Sequence, residues 1–472
     1  MPLGLYISVP FCRTKCSYCN FASDVFSKSA YENYVARLLE DIANARELAS
    51  ELGCSIDDTA DSIFLGGGTP SILEPAQLQR IFAAVRNQFA VTPDAEITVE
   101  CAPGTLTPVL IETLLQCGVN RVSLGVQSFV DREAQSVGRL HKRTTVLEEI
   151  ARLRDAGLAN ISIDLLAGLP HQTASSWAFS VSETIATGVP HASIYMLEVD
   201  DDSRLGRELI AGGARYHAHF VPDDDTTADF YEQACEMLTA AGIEQYEISN
   251  FARADGQQNN QSRHNLKYWT RQPYLGFGVD AHSMLEGMAR VGTGLRPVQA
   301  ERSSAAATSH SKPVFTTTVD ILHAASPQAV RFAAPDSLDA YMNRAPITIT
   351  PVSEQAAIEE TFFLGLRLNQ GIDLAESRIW ERHDFSRAIK ARENTALAAE
   401  ANRGLQQKFT QDAIATWESA IKQSIQDGLL ERQGTIVCLT ARGRLLSNEV
   451  FARFLAEKAE ETKVGTGNVN PR

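Results

Sequence analysis

Tyr6-Ile-Ser-Val-Pro-Phe-Cys12-Arg-Thr-Lys-Cys16-Ser-Tyr-Cys19 decides how the rest of the chain is read. A short apolar run predicts a β-strand, and directly after it three cysteines follow at C-x3-C-x2-C spacing. Three thiolates on one tight loop can each hold one iron of a cubane [4Fe–4S] cluster, whose usual protein set is four cysteines. One iron is then left for a small molecule. Zinc is the competing reading. A structural zinc site closes with four protein ligands, and no fourth cysteine or histidine lies near the loop. The next cysteines, Cys54 and Cys101, fall on other predicted elements.

Downstream, short apolar runs alternate with stretches of helical periodicity. Ser27 to Leu52 predicts a helix; Ser62-Ile-Phe-Leu-Gly66-Gly67-Gly68-Thr69-Pro70 a strand that ends in glycines; and Pro75 to Phe89 a second helix. The alternation continues through strands at Glu96–Glu100, Arg121–Gln127, Asn160–Leu166 and Ala192–Glu198, with helices between them. This pattern predicts an α/β fold of βα units around a parallel sheet. Six units fall short of the eight of a closed barrel. Gln245–Phe251 reads as one more strand, and residues 251–293 as an extension of the barrel containing His264-Asn-Leu-Lys-Tyr268-Trp269. From 294 to 335 the chain is rich in Ser, Ala, Thr and Pro and reads as a mobile insertion or linker. A second domain, 336–455, shows helix, hairpin-like strands and helix, and 456–472 reads as a disordered tail.

Composition narrows the function class. The 472 residues carry a formal net charge of −15, against the basic face that broad nucleic-acid binding needs. Three clustered and five scattered cysteines are not a disulfide framework. Thiolates competent for a cluster imply a reducing compartment, and no apolar run is long enough to cross a bilayer. The N-terminus runs straight into the first strand, which leaves no room for a cleaved signal. The expectation is a cytoplasmic protein with at most peripheral membrane contact and no nucleic-acid partner.

Ligands of parallel αβ barrels gather at the C-terminal ends of the strands. Here those ends carry the cysteines, then Gly66–Thr69, Glu100, Gln127, Asp164 and the Tyr195–Glu198 segment. Any one of them can be a turn or cap residue; the set in register is what points to a ligand site. No Gly-Lys-Ser/Thr follows the glycines, so they are not a P-loop. His264 stands with Asn, Tyr and Trp, a combination able to ligate haem iron and flank a macrocycle, and equally able to sit in a core. His217 and His219 form an H-x-H pair in a polar stretch.

The cysteine spacing resembles the radical S-adenosylmethionine (SAM) superfamily, whose members chelate the open iron with the amino and carboxylate groups of SAM. With Gly66-Gly-Gly-Thr-Pro70, Gly125-Val-Gln-Ser-Phe129, Ile163-Asp-Leu-Leu-Ala-Gly-Leu-Pro170 and Glu247-Ile-Ser-Asn-Phe251, the chain resembles the oxygen-independent coproporphyrinogen III oxidase-like branch. The resemblance implies an open (βα)6 partial barrel of TIM type and a C-terminal, α-rich winged-helix-like domain. The branch has two types. True oxidases carry a further cysteine two residues after the third, where this chain has Phe21. The HemW-like haem chaperones lack it and carry H-N-x-x-Y-W, which His264 to Trp269 matches.

The resemblance therefore implies a chaperone that binds haem, carries a SAM-ligated [4Fe–4S] cluster on Cys12, Cys16 and Cys19, and passes haem to haem proteins such as respiratory-chain components. It leaves room for a homodimer. The alternative is a radical SAM oxidase that decarboxylates the propionates of coproporphyrinogen III; a zinc protein with a winged-helix tail is a third reading. By motif, Tyr6, Gly67 and Glu100 would touch the SAM on the iron. Tyr18, Gly68, Thr69, Gln127, Arg139, Asp164 and Met196 would border a second SAM position, and His264 would ligate haem.

Overall fold

The computed structural model describes residues 1–254, 259–287, 328–374 and 417–455. Two units emerge: Met1–Ala357 with Leu368–Gln370, and Ile358–Arg367 with the described residues from Gly371 onward.

The first unit is built on one sheet of twelve strands: β1 (Leu3–Val9), β2 (Thr59–Gly67), β3 (Ala90–Cys101), β4 (Arg121–Gln127), β5 (Ile161–Ala167), β6 (His191–Met196), β7 (Ile243–Gln245), β8 (Asn250–Arg253), β9 (Tyr274–Phe277), β10 (His282–Glu286), β11 (Ala329–Ala333) and β12 (Thr348–Val352). The order across the sheet is β12-β11-β10-β9-β1-β2-β3-β4-β5-β6-β8-β7. Strands β1 to β6 lie side by side, all parallel, as the six predicted βα units require. β9 adds a parallel neighbour to β1, and antiparallel strands finish both edges.

Period-2 alternation explains how these strands are used. One face carries Leu5 and Ile7, Ile63 and Leu65, Ile97 and Val99, Val122 and Leu124, Ile161 and Ile163, Ala192 and Ile194, all buried. Helices such as Lys28–Ala43 turn matching apolar stripes inward (Tyr31, Tyr34, Val35, Leu38 and Ile42). The other alternation is polar: Tyr6 and Ser8, Ser62, Glu96, Thr98 and Glu100, Arg121 and Ser123, Ser162 and Asp164, His191, Ser193 and Tyr195. Register joins these residues strand to strand: Ser62 with Glu96, Glu100 with Ser123, Ser123 with Ser162, and Asp164 with Ser193. A parallel sheet buried on both faces usually reads as continuously apolar. A polar inner face at this density marks the side that receives a ligand.

Several expected boundaries move. Gln245–Phe251 is not one strand. It is the end of β7, a turn, and the start of β8, paired antiparallel. The predicted helix Ser27–Leu52 is divided into Lys28–Ala43 and Ala45–Glu51 at Asn44. Of the stretch 294–335, positions 294–327 lie outside the described residues, but Ala329–Ala333 is a strand between β10 and β12. Ala329 is buried with Tyr274, Met284, Val352 and Ala357, so packing overrides a composition that reads as linker. The second unit likewise begins at Ile358 and not at Asp336, because residues 336–357 supply a short helix and β12 to the first.

In the second unit, β13 (Ile372–Asp373), β14 (Leu430–Gln433) and β15 (Ile436–Leu439) form an antiparallel sheet ordered β13-β15-β14. Helical residues 417–426 precede the β14–β15 hairpin, and helices Ala441–Leu445 and Ser447–Ala452 follow it. Phe362 stacks on Phe454 at 5.3 Å and meets Trp417 at 4.7 Å, forming its core. Helix, hairpin and helix are the winged-helix-like order expected. The expected tail, 456–472, lies outside the described residues.

Candidate functional site

Phe11 anchors the cysteine loop. Its fully buried ring stacks on Tyr31 at 4.1 Å and meets Tyr34 edge-on. Beyond it the loop closes on itself: Cys12 N–H donates to Asp24 O, Asp24 N–H to Pro10 O, and Lys15 Nζ to Ser23 O at 2.8 Å and Phe21 O at 3.3 Å. Neighbouring segments fix its position. Thr14 Oγ1 donates to Gly138 O and Ser17 N–H to Val137 O, while Ser17 O accepts from Leu205 N–H.

All three sulfurs are free, Cys16 buried and Cys12 and Cys19 half-buried. Polar groups surround them: Thr69 Oγ1 donates to Cys12 Sγ at 3.7 Å and Arg139 Nη1 to Cys16 Sγ at 3.7 Å, while the Cys12 thiol donates to Ser23 Oγ at 3.6 Å. Burial pushes the Cys19 thiol up, a cost that bonding to a cation removes. Among the described residues no three His, Cys, Asp or Glu side chains are arranged around a single ion. A structural zinc site closes with four protein ligands, one more than the loop's three sulfurs. A cubane offers each thiolate its own iron, so three sulfurs on one loop suit it.

The glycines after β2 lie against this loop. Gly68 N–H donates to Val9 O, and Thr69 N–H to Phe11 O. A Cβ on Gly68 would stand 2.6 Å from Phe11 O and 2.7 Å from Val9 O, so only glycine allows this close passage. Gly67 has φ +98°, in the region that glycine adopts freely. Next along the polar face comes Glu100. Burial, with the charge of Asp164 second, lifts its carboxyl to about 8, while a bond from the Gly67 backbone opposes the rise. An ammonium brought beside it would draw off that proton and form a charge pair, so the carboxyl suits a cationic ligand. Tyr6 shares this face, its hydroxyl held protonated by burial and by Glu100.

Asp164 accepts from Ser123 Oγ at 3.0 Å to both oxygens, and from Ser162 Oγ at 3.4 Å. Burial still raises its carboxyl. Gln127, at the end of β4, has φ +67°, a left-handed conformation unusual for a side-chain-bearing residue, and the β4–β5 register shifts there. Arg139 bridges the two regions: one guanidinium nitrogen donates to Gly125 O and another reaches Cys16 Sγ. Tyr18 packs against Val137, Leu166 and Leu169. A cleft of about 180 Å³ beside the loop is lined by Arg13, Thr14, Thr69, Gly104, Arg139 and His141.

Thus Cys12, Cys16, Cys19, Tyr18, Thr69 and Arg139 are gathered at the loop. Tyr6, Gly67, Gly68, Glu100, Gln127 and Asp164 belong to β1, β2, β3, β4 and β5 or their ends. Met196 belongs to the other alternation of β6; Tyr195 is the residue turned to the polar face, where Asp164 and Glu247 hold its hydroxyl protonated after burial. Ser123 and Ser193 were not singled out from sequence, and Tyr195 only as the start of the strand-end segment Tyr195–Glu198. Their signal was present: polar residues at every second position of otherwise apolar parallel strands.

His264 lies elsewhere. It sits on the helix Arg263–Trp269, whose first N–H groups donate to Glu96: Arg263 N–H to Oε2 and His264 N–H to Oε1, each at 3.0 Å. Ser262 caps the same end by accepting from Asn265 N–H. The helix rests on the N-terminal ends of β1 to β3, where a Cβ on Gly4 would meet Lys267 Cδ at 2.8 Å and His264 at 3.3 Å. His264 is 1% exposed and stacks on Phe64 at 5.3 Å. Its Nδ1 pairs with Ser62 Oγ at 3.0 Å and its Nε2 with the Tyr268 hydroxyl at 2.8 Å. Burial and then Lys267 hold it neutral, pushed down to about 3. Both ring nitrogens are engaged and no face is open, so this conformation does not fit a haem iron at His264.

The sequence model of the Radical SAM superfamily matches residues 6–180. The chain is 36% identical over 289 residues to the haem chaperone HemW of Synechocystis, spanning 61% of this chain and 67% of that protein. It is 35% identical over 282 residues to HemW of Escherichia coli, spanning 60% and 70%. It is 29% identical over 453 residues to HemW of Bacillus subtilis, spanning 96% and 99%. Among solved structures, the coproporphyrinogen III oxidase HemN from Escherichia coli superposes with a TM-score of 0.69 at 20% identity, covering 96% of this chain and 90% of that one, a likeness of fold. With an open six-stranded parallel core, a three-cysteine loop at the strand ends and these relatives, the chain belongs to the HemW haem chaperone family of the radical SAM superfamily.

Proposed function

We infer that the protein is a haem chaperone that carries a SAM-ligated [4Fe–4S] cluster and delivers haem to haem proteins, respiratory-chain components among them. The observation that carries this reading is Phe21. Where the oxidase type has a further cysteine, this chain places a phenylalanine that is 64% exposed at the edge of the cluster loop. The relatives named above support the same reading.

Cys12, Cys16 and Cys19 would hold three irons, and Tyr6, Gly67 and Glu100 would receive SAM on the fourth. The cluster, when bound, supplies a one-electron centre and an iron open to a chelating ligand. The chain's own residues do the rest. Thr69 and Arg139 point donors at the sulfurs and offset their charge. Gly68 lets the backbone approach, and Glu100 receives an ammonium. Tyr18, Gly68, Thr69, Gln127, Arg139, Asp164 and Met196 are the candidates for a second SAM position. Met196 is the weakest member on geometry, since Tyr195 takes the inward place on its strand.

The test is an anaerobic incubation of the reconstituted protein with dithionite, SAM and coproporphyrinogen III, run beside a haem titration. A haem Soret band without protoporphyrinogen is expected. Protoporphyrinogen formed at catalytic turnover would replace the chaperone by an oxidase.

A further inference from the structure

Resting on the haem-binding reading, the question is which residues meet the iron. Among the described residues, His141, His191 and His264 are buried and hydrogen-bonded: His141 to Val126 O, and His191 to Ser162 and Tyr246. His282 faces Asp280 at 3.7 Å. The remaining three gather at one place. His171 follows β5, and His217 and His219 lie on the short helical turn Arg215–Phe220.

His171 Nε2 is 3.0 Å from His217 Nδ1, and Arg132 donates to His171 Nδ1 at 3.2 Å. The Phe220 ring is 4.0 Å from the rings of both His171 and His219, and is itself 45% exposed. A cleft of about 320 Å³ opens between Arg132, Gln135, Ser136, His171, His217 and Phe220. His171, Tyr216 and His217 have φ of +70°, +53° and +59°. Three side-chain-bearing residues in the left-handed region thus stand at one surface site.

The chemistry favours a porphyrin over a bare metal ion. A bare transition ion asks the protein for three or four ligands, and no three suitable side chains are so arranged among the described residues. Haem iron arrives with four ring nitrogens and asks for one or two more. A part-exposed aromatic ring and an arginine match the other parts of haem, the macrocycle and its propionates.

We propose that haem is taken at this cluster, with His217 as the axial ligand, His171 as its positioning partner, Phe220 against the macrocycle and Arg132 toward a propionate. Ligation through His217 Nε2 puts that ring's proton on Nδ1, which then donates to His171 Nε2. The His171 proton moves to Nδ1, and Arg132 turns from that nitrogen to the propionate. His264 in this account holds a helix in place and does not touch haem.

The experiment titrates ferric haem into the full chain, reconstituted anaerobically, and reads the Soret band and the spin state by electron paramagnetic resonance. Wild type is compared with His217→Ala, a His171/His217/His219 triple alanine variant and His264→Gln. His217→Ala is expected to weaken haem binding by at least about tenfold, as loss of a metal ligand or its partner does, and to change the spin state. The triple variant loses the band, and folded His264→Gln keeps the wild-type spectrum. A triple variant with unchanged spectrum and affinity overturns the assignment while the chaperone reading stands. So does a His264→Gln protein that is folded by circular dichroism yet blind to haem. Wild type that takes up no haem overturns both.

Discussion

Glu100 shows how one residue carries information that its sequence position does not. The strand end and the carboxylate were legible in Glu96-Ile-Thr-Val-Glu100; its protonation was not, because that depends on Asp164 from another strand and on burial. The folded carboxyl is lifted from 4.5 to about 8. The native state therefore keeps a proton that the unfolded chain has released, and stability falls as pH rises through that window. Glu100→Gln removes this dependence. In thermal melts of the cluster-free protein, the variant should match wild type near pH 4.5 and exceed it progressively up to pH 8. A difference that is constant across the window would show that the carboxyl is not held protonated.

At the scale of the element, the helix Arg263–Trp269 is the instructive case. On residue types alone its motif reads equally as a haem site or as core, and the resemblance is what implies haem at His264. The same residues serve packing equally well, and only the location decides. The helix closes the N-terminal end of the strands, the end associated with stability in parallel barrels. Lys267 is 2% exposed; its ammonium lies 2.7 Å from Asp61 and donates to Pro2 O at 2.9 Å, joining the helix to β2 and to the start of the chain. Breaking a buried ion pair from one side costs about 3 kcal/mol, less where one partner is part-exposed, as Asp61 is. Lys267→Met is expected to lose about 2 kcal/mol in urea unfolding, with cluster content unchanged in the folded protein. A loss below about 0.5 kcal/mol, the range of ordinary surface substitutions, would remove the helix from its structural role. The cysteine loop is the opposite case: spacing alone located it, because three thiolates in eight residues have few other uses.

For the whole molecule, the six parallel strands were legible because each apolar run is followed by a helical period. The edges were not. β7 and β8 read as one strand because the turn between them, Tyr246 to Ser249, carries no glycine or proline. β11 was hidden in a composition that resembles linker, and its pairing partners lie far along the chain. The same long-range assembly sets the two histidine sites apart. His264 joins strand beginnings, whereas His171 and the turn bearing His217 meet through the fold, 46 residues apart in sequence. Among the described residues, no helix is long and apolar enough to cross a membrane.

The central claim is that this chain binds and hands on haem and does not oxidise coproporphyrinogen. Anaerobically reconstituted protein should be loaded with one equivalent of haem, mixed with an apo-haemoprotein acceptor, and the acceptor's Soret band followed with and without SAM. Transfer of haem to the acceptor and loss of the donor spectrum are expected. Haem that never binds, or that binds and stays while coproporphyrinogen III is converted to protoporphyrinogen, would contradict it.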